Sequence, residues 1–315
     1  MYIEQGYKGE NQLWRTTLTL LVSTGFLVVN TIFILMLPEG ELEKMYELMK
    51  SVPKNVGLVT NLIPFVFLLG LLVLMVVFVH KRSFVSLTTS RKNIDYYRVL
   101  FSASIIIGIT ILLFTVSYYM APEEVVWNFK PLNFIILVVI SLLLFPFQIG
   151  FEEYLFRGYL MQQLGIQFGN RWFPLIITSV LFGLMHFANP EVNEMGFITM
   201  VFYIGFGLLM GIMTLMDEGL ELALGFHLGN NLMAALLVTS EWSAIQTDAL
   251  FKYTAENAPD GVINELFLTV GLTFPIVLFL CAKKYKWTAW KEKLTGKVLT
   301  AEAFHARKET EVEQL

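Results

Sequence analysis

The feature that most constrains this chain is a succession of eight uncharged apolar runs, each near the roughly 20 residues that a helix needs to cross a bilayer's ~30 Å hydrocarbon core. They are Thr16 to Leu37, Asn55 to Val79, Val99 to Ala121, Pro131 to Phe151, Trp172 to Asn189, Met195 to Met216, Leu222 to Ser240 and Leu266 to Ala282, the last being the shortest at 17 residues. Backbone polar groups inside hydrocarbon must be satisfied within the segment itself, so such runs fold as helices. The expected fold is all-α: a polytopic membrane helical bundle with about eight transmembrane helices. The first run follows Lys8 and Arg15 as a signal peptide would, but it is 22 residues long and ends at Leu37-Pro38 with no small-residue cleavage motif, so it reads as a retained helix.

With 56% apolar and 15% charged residues, the composition excludes an ordinary soluble domain. A net charge of -4 gives no basic footprint, which argues against nucleic acid as a partner. The single cysteine, Cys281, rules out an internal disulfide and a multi-thiolate zinc site. Eight spans put both termini on one side, and if that side is the cytoplasm, 17 of the 22 Lys and Arg residues lie inside. The expectation is a multi-pass integral membrane protein, of the plasma membrane, with both termini cytoplasmic. Three regions follow: residues 1–130 with three spans, a core over 131–240, and 241–315 with an outer loop, the last span and a basic tail. Pro64, Pro146 and Pro275 fall within spans and predict kinks. Glu39 to Lys54 reads either as a surface helix or as a solvated loop. Trp287 and Trp290 among lysines suggest an interfacial anchor.

Ionisable groups inside membrane segments cost about 2.5 to 3.5 kcal/mol each on insertion scales and persist where they are paired or functional. The fourth run leads without a Gly or Pro break into Glu152-Glu153-Tyr-Leu-Phe-Arg157, so its helix should continue past both carboxylates. Glu153 and Arg157 stand i,i+4 in the favourable order for an ion pair. Glu152 points about 100° away and needs another partner or a task. His186 lies in the fifth run, as far after the turn near Gly169 as Glu152 lies before it, so an antiparallel hairpin brings the two to similar depth. In the seventh run His227 and Asn231 share a face, while Gly225 and Gly229 make a small-xxx-small pattern that allows close backbone approach. Polar glue between helices is the plain reading of each motif alone. Together, a carboxylate, two imidazoles and a carboxamide are the inventory for water activation and oxyanion stabilisation. Glu152 would be the general base with His186 sharing in water activation, and His227 and Asn231 would donate to the developing oxyanion.

These motifs resemble those of the type II CAAX prenyl endopeptidases and the wider CPBP, or Abi, family of intramembrane proteases. The family pattern of Glu-Glu-x-x-x-Arg, Phe-x-x-x-His and His-x-x-x-Asn stands here as Glu152-Glu153-Tyr-Leu-Phe-Arg157, Phe182-Gly-Leu-Met-His186 and His227-Leu-Gly-Asn-Asn231. The resemblance covers about residues 131 to 240. It implies a helical membrane fold with a cavity open to the cytoplasm, where a membrane-associated or lipidated peptide or protein is cut. It also implies the same roles for Glu152, His186, His227 and Asn231, with Glu153 and Arg157 in support. Members are described both as metalloproteases and as glutamate-type proteases, and that choice stays open: Glu152, His186 and His227 could form a two-histidine, one-carboxylate zinc site. There is no His-Glu-x-x-His, no Gly-x-Ser-Gly and no Gly-x-Gly-Asp pair. Two other readings remain, a non-catalytic immunity or partner-regulating protein of the same fold and a proton-relay transporter. One tension is geometric: rigid spans put His186 and His227 at different depths, unless the hairpin projects from the membrane or the seventh helix begins deeper.

Overall fold

The computed structural model describes residues 1–254 and 266–313. The chain is a helical membrane bundle, as the apolar runs require. Its helices are α1 (Leu13–Met36), α2 (Glu39–Ser51), α3 (Lys54–Leu74), α4 (Phe84–Thr88), α5 (Tyr96–Met120), α6 (Pro131–Glu153), α7 (Met161–Phe168), α8 (Trp172–Met185), α9 (Pro190–Met195), α10 (Thr199–Asp217), α11 (Glu221–Leu236) and α12 (Phe274–Tyr285). Trp290–Thr295 and Ala301–Glu313 are two further helices in the tail. Three short strands, β1 (Val125–Trp127), β2 (Val238–Thr239) and β3 (Phe251–Tyr253), make a small sheet in the order β1-β3-β2. Nothing in the apolar patterning pointed to it. β1 and β3 are antiparallel, with Val126 opposite Lys252, and β2 and β3 are parallel, with Val238 opposite Phe251.

Among the described residues, six helices are long and apolar enough to cross a membrane, against the eight expected. The other two expected spans are helical but short. The fifth run is α8, 14 residues, and the seventh is α11, 16 residues, which stops at Leu236 before β2 rather than running to Ser240. α11 lies inside the bundle, where a helix surrounded by other helices need not match the thickness of the bilayer, whereas α8 is buried on one face and leaves Trp172, Ile176, Leu181 and Leu184 exposed. α1 is the opposite case. Only Thr19 and Ser23 are buried along it, while Leu21, Phe26, Val29 and Met36 face outward where lipid would lie.

Close backbone packing sets the interior. A Cβ on Gly225 would land on the Val99 carbonyl of α5, and one on Gly229 would lie 2.6 Å from Ile106 Cγ2 and 2.8 Å from the Ala103 carbonyl oxygen. The small-xxx-small face of α11 therefore packs against α5. Gly207 of α10 meets α8 in the same way, with its Cβ position 2.8 Å from the Ser179 carbonyl oxygen. Phe151, Phe182, Phe206, Met210, Phe226 and Phe274 fill the space between.

The expected continuation past Glu152 and Glu153 is present. α6 passes into a π-helical segment, Tyr154–Leu160, and then α7, a single rod from Pro131 to Phe168 of 38 residues. The N-terminal residues, read from the sequence only as a charged lead-in, are buried against this rod. Tyr2 donates its hydroxyl to the Leu87 carbonyl at 2.8 Å, and Glu4 pairs with Arg171 at 2.6 Å. Of the two tail tryptophans, Trp290 is exposed, whereas Trp287 is buried and donates from Nε1 to Asp217 at 3.1 Å where the tail folds back against α10.

Candidate active site

Three segments build the polar centre: the junction of α6 with its π-helical continuation, the C-terminal end of α8, and the middle of α11. π-Helical turns are rare and occur often at functional positions. This one follows directly after the two glutamates, so Glu153 and Arg157 flank the start of the widened turn.

Glu153 and Arg157 are both fully buried and pair at 2.9 Å, as their spacing predicts. Arg157 is held from two further sides. Its Nη2 donates to the Gly207 carbonyl at 3.1 Å, where the missing side chain of Gly207 lets α10 approach, and the guanidinium lies 4.4 Å from the Phe182 ring centre. The Oε1 of Glu153 accepts a second hydrogen bond, 2.8 Å long, from His227 Nδ1. A carboxylate only accepts, so His227 carries its proton on Nδ1 and turns Nε2 the other way. That nitrogen stands 3.6 Å from Oε2 of Glu152, too far for a direct hydrogen bond. Oε2 of Glu152 is buried with no hydrogen-bond partner in the protein.

The other oxygen of Glu152 is occupied. Gln148, one turn earlier on α6, donates to it at 2.6 Å and accepts from Asn231 Nδ2 of α11 at 3.0 Å. Gln148, Glu152 and Asn231 thus form one hydrogen-bonded set and Glu153, Arg157 and His227 another, and the two sets meet where His227 Nε2 faces Glu152 Oε2 at 3.6 Å. Gln148 was not singled out from the sequence, although its i,i+4 spacing from Glu152 in an otherwise apolar stretch was a usable signal.

His186 stands beside this network, with no hydrogen bond to Glu152 among the described residues. It is the residue directly after α8, not a residue within a span. Its Nδ1 donates to the Phe182 carbonyl at 2.8 Å, which leaves Nε2 as an acceptor in the neutral ring. The Phe182 ring links the two histidines, its centre 4.6 Å from that of His186 and 6.0 Å from that of His227. Glu152 and His227 both lie near enough to His186 to act on it electrostatically. On its far side His186 stacks on Tyr203 of α10 at 4.4 Å, and the Tyr203 hydroxyl donates to Glu191. Glu191 also accepts from the Ala244 backbone N–H at 2.9 Å. Tyr203 and Glu191 carried no signal in the sequence, because their roles depend on how the connection after α8 folds back.

The metal set considered from the sequence does not assemble. Among the described residues no three His, Cys, Asp or Glu side chains are grouped to hold an ion, and Glu152, His186 and His227 are no exception. One His227 nitrogen donates to Glu153 and one His186 nitrogen to a carbonyl, which fixes both rings and leaves each Nε2 open.

Residues 131–233 match the family model described as type II CAAX prenyl endopeptidase Rce1-like. Over these residues the chain is similar to that family. The match contains all three motifs and both glycines of α11, and it covers the expected core but for its last few residues. A similarity extends beyond these residues: "Uncharacterized protein YyaK" of Bacillus subtilis (strain 168) is 28% identical over 290 residues, which span 89% of this chain and 95% of that protein. No solved structure matches the chain.

Proposed function

We propose that the chain is an intramembrane endopeptidase that hydrolyses a peptide bond in a membrane-associated or lipidated peptide or protein. The Rce1-like match supports protease activity of this broad kind. The observation that carries the finer reading is the unpartnered Oε2 of Glu152, 3.6 Å from an imidazole nitrogen whose ring is fixed from behind by Glu153. A buried carboxylate oxygen without a partner costs free energy, which a site that binds water and polarises it would recover.

In this reading Glu152 takes a proton from a water molecule, with Nε2 of His186 accepting from the same water, and the hydroxide oxygen bonds to the scissile carbonyl carbon. The carbonyl oxygen becomes an oxyanion, stabilised by Asn231 Nδ2–H and by His227. His227 donates from Nε2 in its doubly protonated form, since Nδ1–H is committed to Glu153. Glu152 then passes its proton to the leaving nitrogen as the C–N bond breaks. Glu153 and Arg157 touch no reacting atom and orient the His227 ring.

The depth of the site follows from length. Glu152 lies 21 residues after Pro131, roughly 30 Å along a helix, so a span that begins at one membrane boundary reaches the other near Glu152. The whole rod to Phe168 would extend roughly 57 Å, which supports a hairpin with α8 that projects from the membrane and holds His186 and His227 at similar depth. The distribution of 17 of 22 Lys and Arg favours the cytoplasm for that face and for both termini, with the plasma membrane as the location.

The test uses purified full-length protein in liposomes with quenched fluorogenic peptides, each made with and without a farnesylated cysteine near its C-terminus. The wild type should cleave at least one peptide, and Glu152→Gln and His227→Ala should cleave about 10³-fold more slowly while remaining folded. Equal cleavage by the wild type and Glu152→Gln would overturn the assignment.

A further inference from the structure

Two groups with different tasks in the proposed site, the base and an oxyanion donor, sit on different helices, and one side chain touches both. Gln148 donates from Nε2 to Oε1 of Glu152 at 2.6 Å and accepts at Oε1 from Asn231 Nδ2 at 3.0 Å. Asn231 in turn accepts at Oδ1 from Asn230 Nδ2, 3.2 Å away. The chain of contacts runs from Asn230 through Asn231 and Gln148 to Glu152, and every link points the same way.

Glu152 dictates that direction. An ionised carboxylate has no proton to give, so the amide that faces it must present its NH2 group. The Gln148 carbonyl oxygen then necessarily faces α11, and only the NH2 end of Asn231 can meet it. Asn231 has two N–H bonds, of which Gln148 uses one and the other is left to donate. Reversed, Asn231 would offer a carbonyl oxygen where the oxyanion forms, and the site would repel the charge it has to stabilise. Asn amides have two nearly isosteric orientations, and only the surrounding hydrogen bonds choose between them.

We propose that Gln148 is a positioning residue of this site, clamping the Glu152 carboxylate with one end of its amide and fixing the orientation of the Asn231 amide with the other. The proposal rests on the hydrolase reading above and adds to it a residue through which base and oxyanion donor are coupled. Ordinary interhelical glue between α6 and α11 would use the same contacts, but it would be measured in stability and not in a coupled rate.

The experiment measures kcat, KM and thermal midpoint in liposomes for Gln148→Leu, Asn231→Ala, the double variant and Gln148→Glu, on whichever fluorogenic peptide the wild type cleaves. Gln148→Leu should lower kcat about 10- to 100-fold with KM changed less than about threefold. In the Asn231→Ala background the same change should cost clearly less than in the wild type, because one of the two groups it holds is already gone. Gln148→Glu, sharing one proton with Glu152, accepts from Asn231 through its carbonyl and donates through its O–H, so it should retain more activity than Gln148→Leu and carries the test if the latter fails to fold.

Three results would overturn the proposal: wild-type kcat in Gln148→Leu, independent losses that multiply in the double variant, or a folded Gln148→Glu no better than Gln148→Leu. If the wild type cleaves and Glu152→Gln does not, such a result removes Gln148 alone. A wild type that cleaves no peptide removes the hydrolase reading and this proposal together.

Discussion

Two buried clusters in this protein each hold a pair of carboxylates, and they treat their oxygens in opposite ways. At the turn between α10 and α11, Glu221 accepts from Arg91 Nη2 at 2.6 Å, from Arg91 Nε at 3.3 Å and from the Asp95 backbone at 3.2 Å. Asp217 accepts from Arg98, from Arg91 at 3.2 Å and from Trp287 at 3.1 Å. Every carboxylate oxygen there has a donor. In the network around α6 and α11, one oxygen each of Glu152 and Glu153 is buried without one. The saturated cluster ties the 88–95 connection, the start of α5 and the tail to α10 and α11, and it has nothing left to offer a ligand. The unsaturated one keeps capacity at the junction of its three motifs. Burial of charge alone does not separate the two clusters; the distribution of donors does.

The largest effect should come from making the two clusters exchange behaviour. Glu152→Gln should lower hydrolysis about 10³-fold with the thermal midpoint nearly unchanged, whereas Arg91→Met should leave kcat per folded molecule intact and cost about 3 kcal/mol of stability. The stability figure is at the low end for a broken buried pair because the Arg91 side chain is about a quarter exposed, whereas that of its partner Glu221 is fully buried. Thermal melting beside a peptide-cleavage assay reads both numbers from the same preparations. Lost activity in folded Arg91→Met, or collapse of the fold in Glu152→Gln, would break the contrast.

The motif residues were legible before the fold was, and for a physical reason. A charge in an apolar run is costly enough to stand out one residue at a time, so Glu152, Glu153, Arg157, His186 and His227 announced themselves. The Glu153–Arg157 pair followed from helical spacing, and the glycines of α11 from the need for close packing. What depends on a partner helix did not show. Gln148 shows its i,i+4 spacing from Glu152 in the sequence, but its second contact appears only when Asn231 is placed against it. The brevity of α8 and α11 was hidden because apolar composition cannot tell a neighbouring helix from lipid. The Asp217–Glu221 cluster escaped notice because charges at the end of a span look like ordinary boundary markers.

The close contact between α5 and α11 holds both clusters in register, since α11 carries Glu221 in its first turn and His227 and Asn231 further along. Gly229→Ala forces a Cβ to 2.6 Å from Ile106 and 2.8 Å from the Ala103 carbonyl oxygen, so the helices must separate. The expected cost is about 1 to 3 kcal/mol, with a drop in kcat as His227 moves from Glu152, and both should be relieved in part by Ile106→Ala. A substitution with full stability and altered kcat would show that α11 shifts without strain and that the two clusters are not held by the same contact.

A third buried group sharpens the comparison, because it is titratable and has only neutral partners. His80, just past the π-helical end of α3, is 1% exposed; its Nδ1 donates to the Glu10 carbonyl at 2.7 Å, and Nε2 meets the Tyr159 hydroxyl at 2.8 Å and Thr19 at 3.1 Å. Burial pushes its pKa below the usual value of 6.5, and the nearby Arg82 and Arg15 push the same way, against the pull of the Glu10 carbonyl. The neutral ring is the folded form, whereas the unfolded chain takes up a proton near pH 6.5. Stability from this residue is therefore complete above that pH and is lost as pH falls through the lower folded-state value. The thermal midpoint of the wild type should fall on acidification from pH 7 to 5 more than that of His80→Gln, which has no proton to gain there. Parallel pH curves for the two proteins would mean that His80 meets water or an anion when protonated, and that neutral burial is not what holds the N-terminal segment against Tyr159.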